Sequence, residues 1–234
     1  MWNEHIIAYW AKRIGLEPND FEGKGLTIHF IPLEHPRLFI YRFGERTMVL
    51  LPDNTPSAIQ ETTHALSDDS DETITAAFSA LQPTFRYTDP IYFWKGEPPV
   101  VQNDAIRILT HDDAALFDEL QATCSEEDRD LAEISIEDIA PHGYFVDDKL
   151  VSVASLLEET EDIVDIGVIT HPDYRRRGFS VALTKAVTAW ALAQGKDVQY
   201  TSQNTNLASI NVAEKSGFTL FMTETVYGIE GLAD

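Results

Sequence analysis

Cysteine occurs once, at Cys124, in a chain of 234 residues, so no intrachain disulfide can form and no cysteine-rich zinc site can be built. Cys124 reads as an ordinary helix residue, and thiol catalysis is not expected. Long apolar runs are absent: none approaches the roughly 20 residues that a helix needs to cross a bilayer. The first residues, MWNEHIIAYWAKRIG, interleave acids with bases and do not place a charged start before an apolar core, so a cytoplasmic protein without a membrane is expected. Positive charge is scarce. Seventeen Lys and Arg face 39 Asp and Glu, a formal net charge of -22, which would repel a phosphate backbone over most of the surface and argues against DNA or RNA as a partner. The same field would attract a cationic substrate such as an amine, or serve solubility alone.

What is present is enough apolar material, 44% of the residues, to bury one large core or two small ones. The stretch RLFIYRFGERTMVLLP sets two β-rich runs around Gly44 and Glu45 and predicts a hairpin. The acidic run Ser67 to Glu72 reads as a solvated loop, and DETITAAFSALQP after it has helical spacing up to Pro83. Glycine and proline gather in KGEPPVVQND, Lys95 to Asp104, which predicts a linker. The expected division is an N-terminal domain over 1–103, smaller and α/β, and a second domain over 104–234. In the second, the predicted order is a strand at AIRILT, helices at HDDAALFDELQATC and EEDRDLAEI, and a hairpin turning at Asp147 and Asp148. A strand DIVDIGVIT, a helix SVALTKAVTAWALAQGK, a strand VQYTS, a short helix ASINVAEKSG and closing strands FTLFMTETVYGI follow.

Three of the chain's ten arginines stand together at Arg175, Arg176 and Arg177, in THPDYRRRGFS between that strand and that helix. Gly178 lets the backbone approach a ligand closely, and Ser180 falls just inside the helix start, so N–H groups and the positive helix end can converge on an anion. Guanidiniums beside them would add charge-assisted contacts. The second glycine with lysine and serine or threonine of a nucleoside-triphosphate loop is absent, as are the three spaced glycines of a dinucleotide fold. A diphosphate held by backbone N–H groups is the remaining ligand.

Arg175, Gly178 and Ser180, preceded by ITHPDY, resemble the acetyl-CoA motif of the GCN5-related N-acetyltransferases. NTNLASINVAEKSGF is similar to the same family's second motif, with Asn206, Ser209, Lys215, Gly217 and Phe218 at the family's intervals. The resemblance implies a mixed α/β (α+β) sheet flanked by helices, with two parallel strands splayed to admit acetyl-CoA, and direct attack of an amine on the thioester. It implies that Val168, Ile169 and Thr170 pair with the pantetheine arm. Arg175, Arg176, Arg177, Gly178, Phe179, Ser180 and Val181 would form the pyrophosphate turn, and Asn206 would lie near the pantetheine. The acceptor would be a small-molecule or protein amine and the protein a monomer or homodimer. The first domain would be either a worn-down half of the same fold or an unrelated cap on the acceptor pocket.

The chain departs from the family where the proton chemistry is expected. Many members have a tyrosine acid where this chain has Ala213, and others a glutamate base where it has Thr201. Ser209 could replace the acid or cap a helix. Asp165 could be a base acting through water or could face away from the cleft. Tyr200 is a third candidate, read as core, and His171 reads as a turn residue. A catalytically silent acyl-CoA-binding or regulatory protein is the competing function.

Overall fold

The structure is a computed structural model and describes residues 2–62, 66, 68–230 and 232; Ser67, first of the acidic run, lies outside the described residues. The chain runs α1 (Glu4–Ile14), β1 (Gly25–Ile31), β2 (Arg37–Phe43), β3 (Arg46–Pro52), α2 (Ser57–Gln60), α3 (Asp71–Ala77), β4 (Thr84–Phe93) and β5 (Ile106–Ile108). It continues through α4 (Ala114–Thr123), α5 (Glu126–Ala132), β6 (Ile139–Val146), β7 (Lys149–Glu158), β8 (Ile163–Thr170), α6 (Phe179–Ala193), β9 (Asp197–Thr201), α7 (Leu207–Ser216) and β10 (Thr219–Gly228). Two compact units result: Met1–Ile91 with Ser202–Thr205 and Leu220–Asp234, and Tyr92–Thr201 with Asn206–Thr219. The structure thus passes between units earlier than the predicted boundary at Asn103, and its last strand returns to the first.

In the first unit the strands lie in the order β1-β3-β2-β10-β4. The predicted hairpin is β2 and β3, paired antiparallel from Phe43↔Arg46 to Phe39↔Leu50. β10 covers the other edge of β2, from Thr223↔Arg42 to Gly228↔Arg37. That pairing explains why the closing strand leaves the second unit. Leu38 and Ile40 need an apolar layer, and Tyr227 and Ile229 join them in one buried cluster with Ile74, Phe78 and Leu81. The acidic run is more than a solvated loop. Ser70 caps α3, Asp71 and Glu72 fill its first turn, and Asp71 accepts from Arg42 and Tyr227 while Asp69 accepts from Thr47, because carboxylates favour a helix N-terminus and nearby cations.

One carboxyl of this unit is held against its charge. Asp89 on β4 has a buried Oδ1 without a hydrogen-bond partner among the described residues. Burial first, and then the neighbouring Glu224, push its pKa from 3.8 up to about 6 against a stabilising backbone bond from Asn204. The folded state therefore binds the proton more tightly than the unfolded chain, and stability falls as pH rises from 3.8 to about 6. Asp89→Asn is expected to flatten that fall and to stabilise the unit at pH 7 by about 1–2 kcal/mol, discounted for partial exposure. Thermal denaturation from pH 4 to pH 8 checks this, and an unchanged slope would refute it.

In the second unit the order is β9-β8-β7-β6-β5. β6 and β7 form the predicted hairpin, with Asp147 and Asp148 at φ 48° and 62° in its turn, the left-handed conformations that a two-residue hairpin loop requires. One face of the sheet packs on α6 and α7 through a cluster that includes Leu156, Val164, Leu183, Val187, Tyr200 and Phe218. The other packs on α4 and α5 through Phe117, Leu120, Ala132, Ile134, Val153 and Ile169. Arg107 on β5 donates through both terminal nitrogens to Asp113, at 2.8 and 2.6 Å. Those bonds and the Thr110 N–H hold the Asp113 carboxyl well below the usual range and pin β5 to the start of α4.

Candidate functional site

The site begins where a ladder stops. β8 pairs with β7 along its length, Glu158↔Val164 to Ser152↔Thr170, but pairs with parallel β9 only at Ile163↔Asp197, Val164↔Val198 and Asp165↔Gln199. From Ile166 onward β8 has an edge without β9. At the parting point the Asp165 carboxylate replaces the missing ladder: Oδ1 accepts from the Ile166 and Thr201 N–H groups at 2.8 and 3.2 Å, and Oδ2 accepts from Gln199 Nε2 at 3.0 Å. Burial raises its pKa more than these bonds lower it. Asp165 does not line the cleft that opens above it; its place is structural, at the fork of the strands.

That cleft has a volume of about 810 Å³. Val168, Ile169 and Thr170 line one side, and their strand edge is a template for an extended amide-bearing chain. Leu131 and Ala132 of α5 line it as well. α5 can lie so close because residue 167 is glycine: a Cβ there would fall 2.3 Å from the Ala132 carbonyl oxygen.

The turn after β8 delivers the start of α6. Gly178 is its N-cap at φ 85°, and Arg176 is also left-handed, at φ 62°. The first intrahelical bond is Ala182 N–H to the Gly178 carbonyl, so the N–H groups of Phe179, Ser180 and Val181 precede the helical ladder and carry the positive end of the helix. Gly178, Ser180 and Val181 line the cleft, and space beside Gly178 is open, since a Cβ there would meet nothing within 4 Å. The three arginines divide by role. Arg175 donates from Nε to the Thr170 carbonyl at 3.1 Å and pairs with Asp128 at 2.9 Å, so it braces the turn on β8 and α5. Burial pushes the Asp128 carboxyl up, but bonds from Ser125 and Arg175 outweigh it and lower its pKa. Arg176 is exposed and lines the cleft. Arg177 donates to the Asp173 carbonyl and lies 4.9 Å from the Tyr174 ring centroid; neither it nor Phe179, tilted against Tyr144 with ring centroids 4.3 Å apart, lines the cleft. His171 caps the single turn Pro172–Tyr174.

Across the cleft stands the start of α7. Asn206 is its N-cap, and its Oδ1 accepts from the Ser209 N–H at 3.1 Å. Ser209 is therefore a capped residue and not the cap, which leaves its hydroxyl for another partner: Tyr200 Oη on β9, 2.9 Å away. Both hydroxyl-bearing residues line the cleft, as do Asn206 and Thr201. Tyr200 is 1% exposed. Burial, and the Asp165 charge against the Ser209 bond, push its pKa up to about 12, so the phenol keeps its proton at neutral pH. Cys124 sits at the end of α4 with its thiol directed to the Thr170 carbonyl. Two cleft residues, Asp128 and Lys215, were legible only in part: Lys215 belongs to the second motif, but nothing local in SEEDRD marks Asp128 as the partner of Arg175.

The profile of the acetyltransferase (GNAT) family matches residues 113–218, which contain every element of this cleft. A GNAT-family acetyltransferase from Colwellia psychrerythraea superposes with a TM-score of 0.54 at 14% identity, over 78% of this chain and 76% of that one. Its likeness supports the fold. A putative GNAT acetyltransferase from Novosphingobium aromaticivorans is 22% identical with a TM-score of 0.48, over 62% of this chain, which spans 65% of that protein's length. A GCN5-related N-acetyltransferase from Kribbella flavida is 16% identical, with a TM-score of 0.48 over 68% and 65% of the two chains. No curated protein matches the sequence. Among the described residues no helix is long and apolar enough to cross a membrane. Residues 113–218 thus match the acetyltransferase (GNAT) family, whose chemistry is acyl transfer, and the fold is that of a GNAT-family neighbour.

Proposed function

We propose that the protein is a cytoplasmic enzyme that moves the acetyl group of acetyl-CoA to a primary amine of a small molecule or of a protein. The observation that carries this reading is the convergence, in one cleft, of an unpaired β8 edge and an open helix start with a free guanidinium beside it. An amide-bearing chain fits the first, and a diphosphate fits the second. Acetyl-CoA supplies the activated thioester, Val168 to Thr170 would hold its arm, and the N–H groups of Ser180 and Val181 with Arg176 would hold its phosphates. The net charge of -22 favours the approach of a cationic acceptor.

Calorimetry with acetyl-CoA, followed by release of free CoA over a panel of primary amines, tests the reading. Binding with amine-dependent release is expected. No binding would overturn it, and binding without release for any amine would leave the acyl-CoA-binding function in its place. The arginines give a sharper result. Arg176→Ala is expected to weaken acetyl-CoA by about 10-fold, the loss of one charge-assisted contact of about 1.5 kcal/mol. Arg177→Ala is expected to leave affinity unchanged, because its guanidinium is spent on Asp173 and Tyr174. Equal losses at the two positions would refute this assignment.

A further inference from the structure

The amine's attack breaks a carbon–sulfur bond, and the departing sulfur needs a proton. Among the described residues that line the cleft at the start of α7 there is no cysteine, histidine or carboxylate. What stands there is a pair of hydroxyls, Ser209 Oγ and Tyr200 Oη, 2.9 Å apart at the cleft wall. Ala213, fully buried in the same cluster as Tyr200 and Phe218, brings no polar atom to that place. The Ser209 N–H is taken by Asn206, which fixes the serine on the first turn of α7 and leaves its hydroxyl to Tyr200. The phenol is fixed as firmly, with its ring 5.6 Å from that of Phe218.

We propose that Tyr200 is the proton reservoir of the reaction and acts through Ser209: Ser209 donates to the leaving sulfur as Tyr200 donates to Ser209. This rests on the acetyl-transfer reading. The step balances without another reactant. The carbon–nitrogen bond forms and the carbon–sulfur bond breaks with its electron pair on sulfur. Sulfur takes the Ser209 proton, Ser209 takes that of Tyr200, and the proton shed by the acylated nitrogen returns to the Tyr200 phenolate through water. Either hydroxyl of the pair can donate across the 2.9 Å; the relay uses the arrangement in which Tyr200 donates to Ser209 and the serine hydrogen faces the cleft. Asp165 below, and Tyr92 with its partner Glu214, are the titratable groups near the ring. Asp128, Arg175, Arg176 and Lys215 line the same cleft. Asp165 and the burial of the ring keep the phenol protonated through the neutral range. Ser209 would touch the reacting sulfur; Tyr200 is a positioning residue that supplies it.

Tyr200→Phe, Ser209→Ala, Ser209→Thr and the double variant Tyr200→Phe with Ser209→Ala test this. With the best amine of the panel, each of the first two is expected to lower kcat at least 10-fold, with acetyl-CoA affinity within 2-fold of wild type. The double variant is expected to be no worse than the worse single, because the two groups act as one unit. Ser209→Thr, which keeps the hydroxyl, is expected to recover most of the rate. A binding readout needs no acceptor: affinity for free CoA is expected to rise as pH passes about 8.5, the ordinary thiol range, as the hydroxyls meet a thiolate. That rise is expected to vanish in Tyr200→Phe, while acetyl-CoA affinity stays level in both. Wild-type binding of acetyl-CoA with kcat in Tyr200→Phe within 2-fold of normal, or with an unchanged pH rise for CoA, would overturn the relay alone. Absence of wild-type acetyl-CoA binding would overturn the acetyl-transfer reading itself. Should Tyr200→Phe fail to fold, Ser209→Ala against Ser209→Thr decides by the same readouts.

Discussion

Gly178→Val is expected to remove acetyl-CoA binding, with affinity lowered at least 100-fold. Gly178 stands at φ 85° as the N-cap of α6. A side chain there costs about 1–2 kcal/mol, and β-branching adds to it. The turn can relieve that strain only by shifting the peptide units on either side, which join it to Arg177, next to the left-handed Arg176 at φ 62°, and to the first N–H groups of the helix. Losing two N–H contacts to a charged diphosphate at about 1.5–3 kcal/mol each gives the 100-fold expectation. A Cβ here would meet no described atom within 4 Å, and Gly178 lines the cleft, so the added bulk is expected to compete with the ligand for that space. Gly178→Ala, with the same strain but one methyl, is expected to lose about 10-fold. Neither change touches the core, so melting temperatures are expected to fall by only a few degrees. Calorimetric titration of both variants checks this, and a valine variant that binds within 3-fold of wild type would refute the placement of the diphosphate.

The same turn was readable in the sequence because its signals are local. A glycine between arginines and a helix start, two aspartates in a hairpin and a C-terminal glycine after α6 each impose a backbone conformation within a few residues. The order from β5 to α7 follows from such signals alone. β10 is different. Its alternation was legible, but its partner β2 lies far upstream, and no local pattern says which sheet edge an apolar strand will cover. β4 carried a misleading signal, Pro90 within a strand, which argues for an edge or an end. α1 was not among the expected elements, although its signals are local: Asn3 caps it and Ile6, Trp10 and Ile14 share a buried face.

At the site, Asn206 and Ser209 fall where their spacing puts them, but the partner of each is a matter of folding. Only the meeting of β9 with α7 shows that Tyr200 takes the Ser209 hydroxyl. Only the charge cluster of α5 shows that Arg175 is spent on Asp128. The three arginines look equivalent in sequence because charge is legible and direction is not: a guanidinium sits on a long, flexible stem, and its destination depends on elements remote in the chain.

Asp165→Ala is expected to destabilise the second unit by about 3 kcal/mol, near 10 °C in melting temperature for a unit of this size, and to weaken acetyl-CoA in parallel. The carboxylate takes the Ile166 and Thr201 N–H groups and the Gln199 amide at the last paired rung of β8 and β9. Alanine leaves two backbone donors without this acceptor and takes one acceptor from the Gln199 amide, which keeps Thr201 Oγ1; each buried backbone donor costs about 1–3 kcal/mol, less whatever water recovers. The strands would then close their ladder or part further down, and either movement changes the width of the cleft. Asp165→Asn separates this role from that of a base. Its amide oxygen can still accept the two N–H groups now on Oδ1, and a turn of the Gln199 amide supplies an acceptor for its NH2. The neutral amide also avoids the burial cost that raises the carboxyl's pKa. The asparagine variant is therefore expected to keep the melting temperature within about 3 °C, together with acetyl-CoA affinity and turnover. A stable asparagine variant that binds acetyl-CoA but has lost turnover would make Asp165 a proton acceptor after all, reached through water from the amine side. A stable alanine variant with full affinity would mean that the fork in the sheet is held by the strands themselves.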